Sequence, residues 1–276
     1  MSEADESKKM PLLDHLIELR DRLIKSFAAV IVLFMVCYAF SDHIYAFLVH
    51  PLAEVVHEQG ENRRLIYTAL HEAFFTYLKV SFFAAMFVAF PFIAAQFWRF
   101  VAPGLYQNEK KALLPYLVVS PILFFMGGAL VYYLIFPMAW KFFLSFESPG
   151  GDGMMPIQLE AKVNEYLSLV MQLIFAFGIT FQLPVVLMLA ARAGLTTAQG
   201  LADKRRYAIV AAFVIAAILT PPDVISQIGL AVPMMILYEA SIIGVRLTER
   251  SRRKREAAEA EAEAAAAVDD TDFNEA

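Results

Sequence analysis

Long apolar runs alternate with short polar segments along most of this sequence. A bilayer core of about 30 Å is crossed by about 20 apolar residues in a helix. Four runs meet or approach that length, and two shorter runs follow before the polar C-terminal segment. The predicted spans are residues 24–40, 74–97, 113–137, 166–191, 207–219 and 225–245. The pattern therefore predicts an all-α polytopic membrane protein with six transmembrane helices, of which the last two are short.

The fifth and sixth spans are separated only by a turn at residues 220–224, whose two prolines can end one helix and begin the next. At about 1.5 Å per residue, residues 207–219 reach only about 20 Å. One interpretation is a re-entrant hairpin that enters and leaves the bilayer on the same side. We favour two complete spans that thin the bilayer locally, which is how membranes accommodate short helices.

The lysines and arginines are distributed unevenly over the predicted loops. Cytoplasmic loops of membrane proteins carry an excess of these residues. With six spans, most of the 23 basic residues lie on the side that also holds both termini. The exceptions are Arg63, Arg64, Lys79, Lys141 and Lys162. The distribution predicts that both termini are cytoplasmic, and a re-entrant hairpin would give the same result.

Composition supports the membrane class and argues against an enzyme. Apolar residues make up 59% of the chain and charged residues 18%, whereas soluble domains have about 45–50% and about 25%. The single cysteine, Cys37, lies in an apolar run, so neither a disulfide framework nor a cysteine-based metal site is predicted. No nucleophile, zinc-binding or phosphate-binding motif is present. We therefore expect no catalytic residue, metal, cofactor or nucleic-acid partner.

Two longer outer segments and a polar tail complete the layout. Residues 41–72 include an amphipathic stretch and residues 138–165 contain the flexible sequence SPGGDG, so we expect an outer cap with short helices near the interface. Residues 1–248 are predicted to form the membrane domain. Residues 249–276 are basic and then acidic, and we expect this cytoplasmic tail to be disordered or a frayed helix because it has little apolar mass.

Polar side chains inside the predicted spans are candidates for function, because lipid exposure is costly for them. Gln172 is expected to hydrogen-bond between helices. Gln182 and Gln227 are better candidates for docking a partner membrane helix that carries its own polar group. Glu239 lies toward the inner end of the last span. The prolines of the spans are expected to bend the helices into a concave, receptor-like bundle.

The sequence HLIELRDRL, residues 15–23, places acids and arginines at the entrance of the first span. A basic segment alone would anchor the chain there, so the carboxylates need a separate explanation. Glu18 could accept a guanidinium group of a cationic ligand in a bidentate geometry that lysine lacks. Alternatively, it could pair with Arg22 four residues later and only stabilise the helix. The residues alone leave both interpretations open.

Three motifs read together carry a resemblance to a known family: HLIELRDRL, the loop WRFVAPGLYQNEKKALLP and the turn LTPPDVISQ. They resemble the TatC family over about residues 11–248. The resemblance implies a receptor and core subunit of the twin-arginine translocase, which exports folded proteins using the proton-motive force. The implied partners are twin-arginine signal peptides, single-span TatA and TatB proteins, membrane lipids and further copies of the chain. The implied location is the bacterial inner membrane.

The resemblance also implies roles for individual residues. They are the signal-peptide residues Glu18, Arg20 and Glu109, the docking residues Thr220 and Gln227, the outer-face residues Pro51 and Asp223, and the intramembrane polar residues Gln182 and Glu239. Gln182 stands where family members often carry glutamate, which puts a protonation role at that position in doubt.

An ion- or proton-coupled transporter of small solutes is the alternative from a different functional class. Such a transporter needs carboxylates along a pathway at membrane depth. In this sequence only Glu239 lies within a predicted span.

Overall fold

The computed structural model describes residues 12–58, 64–105, 114–151, 155–220 and 223–274. These residues are mostly helical, and their β pairing is limited to two isolated bridges, Ile66 with Lys162 and Ser148 with Ile157. The helices are α1 (Leu12–Ala39), α2 (Ser41–Glu58), α3 (Glu72–Leu105), α4 (Leu114–Leu130), α5 (Phe136–Leu144), α6 (Val163–Thr180), α7 (Leu183–Arg192), α8 (Ala198–Asp203), α9 (Arg205–Leu219) and α10 (Val224–Asn274). The predicted all-α class is confirmed.

Five stretches of the described chain are long and apolar enough to cross a membrane. They are Leu13–Ala39, Glu72–Phe100, Pro115–Leu144, Val163–Arg192 and Val224–Ser251. The remaining predicted span, 207–219, lies within α9, which has 15 residues and is therefore only about 22 Å long. Helix α9 packs against α10 and also contacts α6. The expected count of six passes is thus roughly consistent with the helices observed. Helix α9 is short, whereas the last pass lies in the 28-residue stretch Val224–Ser251.

The third and fourth passes are not uniform α-helices, and a proline lies in the first turn of the helix that follows each irregularity. The third pass runs through α4, a π-helical turn at Val131–Ile135 and α5, which has Pro137 in its first turn. The fourth pass breaks between α6 and α7, where Pro184 lies in the first turn of α7. Proline is tolerated in the first turn of a helix because the N–H group it lacks would have no partner there.

Close contact between α4 and α6 depends on two glycines. A Cβ atom added to Gly178 would lie 2.6 Å from the ring of Phe124, and one added to Gly127 would lie 2.7 Å from the carbonyl oxygen of Phe177. Small residues allow membrane helices to approach closely when lipid provides no hydrophobic driving force. Phe124 is fully buried at this contact and stacks on Phe90 of α3 at 3.6 Å between ring centroids.

The segment after α1, which is expected on the outer side, folds as helix α2, as its amphipathic pattern predicted. It buries Leu48, Pro51, Leu52 and Val55. Pro51 lies inside this helix, although proline has no N–H group to bond the carbonyl four residues earlier. That carbonyl belongs to Phe47, and it accepts a hydrogen bond from the hydroxyl of Tyr132 at 2.8 Å. A side chain of the third pass therefore replaces the backbone bond that Pro51 removes.

The C-terminal tail continues the last span as one helix. Helix α10 extends from Val224 to Asn274, so of the two states expected for the tail the structure has the helical one at residues 249–274. The reason is local composition, because the tail from Glu256 consists largely of alanine and glutamate. Both residues rank among the strongest helix formers, and a helix requires no apolar core when it extends an existing one.

Candidate functional site

Helix α1 places Glu18 and Arg22 one turn apart, and the two side chains form an ion pair. Arg22 donates from Nε at 2.9 Å and from Nη2 at 2.5 Å to the same carboxylate oxygen, Oε1 of Glu18. Its Nη1 donates to Oε1 of Gln96 on α3 at 3.3 Å. The charged side chains are mostly buried, with 22% of Glu18 and 23% of Arg22 exposed. The pairing that the sequence left as an alternative for Glu18 is therefore present.

The second oxygen of Glu18 distinguishes this pair from an ordinary helix-stabilising bridge. Oε2 is buried and accepts no hydrogen bond from any part of the chain that the structure describes. A buried carboxylate oxygen without a donor is costly, because desolvation is not compensated. The arrangement can therefore bind a further donor while Arg22 keeps the carboxylate charged and in position.

Of the other two expected residues of this site, Arg20 is described and pairs with a different acid. Arg20 lies on the exposed side of α1, where its Nε and Nη2 donate to Oδ1 of Asp21 at 3.0 and 2.8 Å. Glu109 lies outside the described residues. The structure therefore does not test whether the two expected acids, Glu18 and Glu109, lie together, and their shared role remains a prediction.

Sequence reasoning missed two residues beside this ion pair. Gln96 is 8% exposed and connects Arg22 to α3. His15 stacks on Phe100 of the same helix, with ring centroids 4.3 Å apart. Gln96 could have been found, since it is a polar residue inside a predicted span, the same signal that singled out Gln172 and Gln182. The stacking of His15 has no equivalent signal, because it depends on how α1 and α3 pack.

The turn between α9 and α10 holds the residues expected to dock a partner helix. Thr220 is 7% exposed, and its Oγ1 donates to the carbonyl of Ala216 at 2.8 Å. Asp223 accepts from the backbone N–H of Ser226 through Oδ1 at 2.6 Å and so acts as the N-cap of α10. Its Oδ2 is buried without a partner among the described residues. The side chain of Gln227 is half-buried just after this cap.

Gln172 joins two helices, as expected. Its Nε2 donates to the carbonyl of Leu219 at 3.1 Å. Leu219 is the last residue of α9, where carbonyl groups have no partner within the helix. This hydrogen bond connects the C-terminal end of α9, the shortest pass, to α6.

Gln182 is also engaged inside the bundle. Its Oε1 accepts from the hydroxyl of Ser120 at 2.5 Å, and its Nε2 donates to the carbonyl of Ser120 at 2.9 Å. Both functions of the amide are therefore used by one residue of α4. To dock a partner helix, Gln182 would have to give up these bonds.

Glu239 forms a bidentate ion pair with Arg205 at the start of α9. The Nε–Oε1 and Nη2–Oε2 distances are 2.6 and 2.8 Å, and each side chain is about half exposed. The hydrogen-bonded carboxylate raises the pKa of Arg205 above its ordinary value. Glu239 thus forms an ion pair with a cation of the neighbouring helix α9. Within the described residues, no group of three or more possible metal ligands occurs.

Comparison with known proteins gives one consistent result. A family model described as Sec-independent protein translocase protein (TatC) matches residues 14–233. A relative of that name from Magnetococcus marinus is 55% identical over 248 residues, which cover 90% of this chain and 88% of the relative. One from Rickettsia prowazekii is 49% identical over 240 residues, covering 87% of this chain and 94% of the relative.

A solved structure agrees with the sequence comparison. The crystal structure of a twin arginine translocase receptor, TatC, in DDM superposes with a TM-score of 0.71 at 37% identity. The match covers 84% of this chain and 99% of that one.

Proposed function

The chain belongs to the TatC family of Sec-independent protein translocase proteins, and we propose that it serves the translocase as the receptor for twin-arginine signal peptides. It is a multi-pass membrane component of the Tat system. The proposed binding residues are Glu18, Arg20 and Glu109, at the cytoplasmic face of a bacterial inner membrane with both termini inside. TatA- and TatB-type single-span proteins and further copies of the chain would complete an assembly that exports folded proteins.

The observation that supports this role most directly is the free oxygen of Glu18. Arg22 occupies Oε1, while Oε2 is buried and lacks a donor among the described residues. A guanidinium group of a signal peptide carries several N–H donors and would satisfy that oxygen, which an ammonium group could do only as a point charge. Arg22 would also repel a basic ligand whose arginines failed to reach the acid, and this favours specific recognition.

Thr220 and Gln227 are proposed to dock the partner helix near the turn before α10. Thr220 keeps its hydroxyl within α9, so its contribution would be to the shape of the turn. Gln227, half-buried at the start of α10, is the residue of the two with a side chain available for a polar group of a partner.

Site-specific crosslinking tests the receptor role. A photoreactive group next to the arginine pair of a synthetic signal peptide is crosslinked to the wild-type protein and to Glu18→Ala, Glu109→Ala and the double variant. We expect the double variant to lose at least about tenfold in crosslinking yield. Asp14→Ala is the matched control, because Asp14 is an exposed acid one turn before Glu18 on the same helix. An undiminished yield in the double variant, or an equal loss in the control, would reject the assignment.

A further inference from the structure

The lipid-facing side of α10 is defined by its exposed apolar residues. Those of the membrane pass are Val224, Ile228, Val232, Ile236, Ile243 and Leu247. The opposite side is buried in the bundle and includes Leu230, Met234, Ile242 and Val245. The exposed side has no protein partner within the described chain, and in a membrane it is covered by lipid.

Three arginines follow on the same side where the pass ends. Arg246, Arg250 and Arg253 are all exposed, and none forms an ion pair within the described parts of the chain. Their spacing of four and three residues places them along one face of the helix, over a length of about 10 Å. The nearest acid on this stretch, Glu249, instead accepts a hydrogen bond from the backbone N–H of Ala198.

The arginine row continues the apolar row in register. Arg250 and Val232 are separated by five full turns at 3.6 residues per turn, so they point in the same direction about the helix axis. Ile243 and Leu247 lie within about 60° of that direction on one side, and Arg246 and Arg253 lie within about 60° of it on the other side. The lipids that cover the apolar side of α10 therefore have their headgroups at the level of these guanidinium groups.

We propose that Arg246, Arg250 and Arg253 form a binding site for the phosphate headgroups of anionic phospholipids, whose acyl chains lie against the apolar side of α10. The charge is complementary, because three exposed cations that have no ion-pair partner among the described residues face the headgroup layer. Guanidinium groups bind phosphate oxygens in bidentate fashion, and basic residues next to a membrane helix attract anionic lipids. A lipid is favoured over a soluble phosphate because the adjoining surface is apolar along several turns.

Native mass spectrometry of the full-length protein tests this site. The wild type and the variant R246Q/R250Q/R253Q are incubated with equal amounts of phosphatidylglycerol and phosphatidylcholine of the same chain length. We expect the wild type to retain phosphatidylglycerol preferentially, and the variant to lose about tenfold or more of that preference. Raising the ionic strength should weaken the wild-type preference, because exposed charges are screened. Glycerol phosphate, which has no acyl chains, should not compete.

Two further variants keep the experiment decisive. R64Q/K141Q/K162Q removes the same number of positive charges from residues remote from α10 in sequence and should retain the preference. R246K/R250K/R253K keeps the charge and should retain part of it. An unchanged preference in R246Q/R250Q/R253Q overturns the proposal, and so does an equal loss in R64Q/K141Q/K162Q. If R246Q/R250Q/R253Q keeps its lipid preference but loses a co-purifying membrane protein, the arginines belong to a protein interface and the proposal fails.

Discussion

Arg22 directs two of its N–H donors to the same oxygen of Glu18, and the other oxygen of that carboxylate is buried without a donor among the described residues. One carboxylate oxygen of Glu18 therefore accepts two hydrogen bonds, and the other accepts none within the described part of the chain. Internal pairing and ligand binding, which the sequence presents as alternatives for Glu18, are compatible in this geometry. The internal partner fixes the carboxylate and leaves one oxygen available.

Removing Arg22 should destabilise the protein. In Arg22→Gln the mostly buried carboxylate of Glu18 loses its charged partner, and we expect a loss of about 1–3 kcal/mol in the free energy of unfolding. Arg20→Gln is the matched control, because Arg20 pairs with Asp21 at the exposed surface, where such pairs contribute about 0–1 kcal/mol. Thermal unfolding of both variants in mild detergent would measure the difference. Equal midpoints for the two variants would show that burial of the ion pair between Glu18 and Arg22 adds nothing to the stability of the protein.

The contact between α4 and α6 should not tolerate a methyl group at Gly178. A Cβ atom there would lie 2.6 Å from the ring of Phe124, which is fully buried and cannot move away easily. We expect Gly178→Ala to cost about 1–3 kcal/mol, the usual range for overpacking. The neighbouring Ile179→Ala changes a residue that is 61% exposed and should cost less. Thermal unfolding of the two variants in detergent measures the difference. A midpoint for Gly178→Ala equal to or above that for Ile179→Ala would contradict the expectation.

The hydrogen bonds between Gln182 and Ser120 should be coupled. Gln182→Leu leaves the Ser120 hydroxyl without its acceptor, and Ser120→Ala leaves the Gln182 carbonyl without its donor. Interhelical hydrogen bonds in membranes contribute about 0.6 kcal/mol on average, so each single variant should be mildly destabilised. The double variant should cost less than the sum of the single variants. Strict additivity in a double-mutant cycle would show that the two side chains act independently.

The passes that cross the membrane could be predicted from sequence because each is a continuous apolar run, and lipid exposure demands such runs. The state of the tail and the partner of Gln182 could not. The conformation of the tail depends on whether its alanine and glutamate residues continue helix α10. The pattern of hydrophobic positions does not indicate this. The bond between Gln182 and Ser120 joins residues 62 positions apart in the chain, and only the packing of α4 against α6 brings them together.

The structural role of Asp223, in the turn before α10, also could not be predicted from the sequence. The resemblance singles out this residue as the aspartate of the turn, while the structure gives it a local role as the N-cap of α10. Asp223→Ala should cost about 1 kcal/mol, whereas Asp223→Asn should cost little because asparagine caps equally well. Unfolding of Asp223→Ala and Asp223→Asn in detergent measures this difference in stability. If Asp223→Asn is as stable as the wild type but impairs export, the negative charge has a function beyond capping.

The packing of α2 against the third pass is tested most strongly at Pro51 and Tyr132. Pro51 leaves the Phe47 carbonyl without its helical partner, and the Tyr132 hydroxyl fills that vacancy at 2.8 Å. Tyr132→Phe removes only the hydroxyl and keeps the ring, which stacks on Phe47 at 4.4 Å between centroids. We expect it to cost about 1 kcal/mol, because the partly buried carbonyl of Phe47 loses its donor.

The same substitution should cost much less in a Pro51→Ala background. Alanine at position 51 supplies an N–H group four residues after Phe47, so the helix can make the bond itself and the hydroxyl of Tyr132 becomes dispensable. Unfolding of the wild type, both single variants and the double variant in detergent measures this coupling. An equal cost of Tyr132→Phe in both backgrounds would mean that Pro51 is not the reason that α2 needs Tyr132. The proline would then shape α2 through its ring alone.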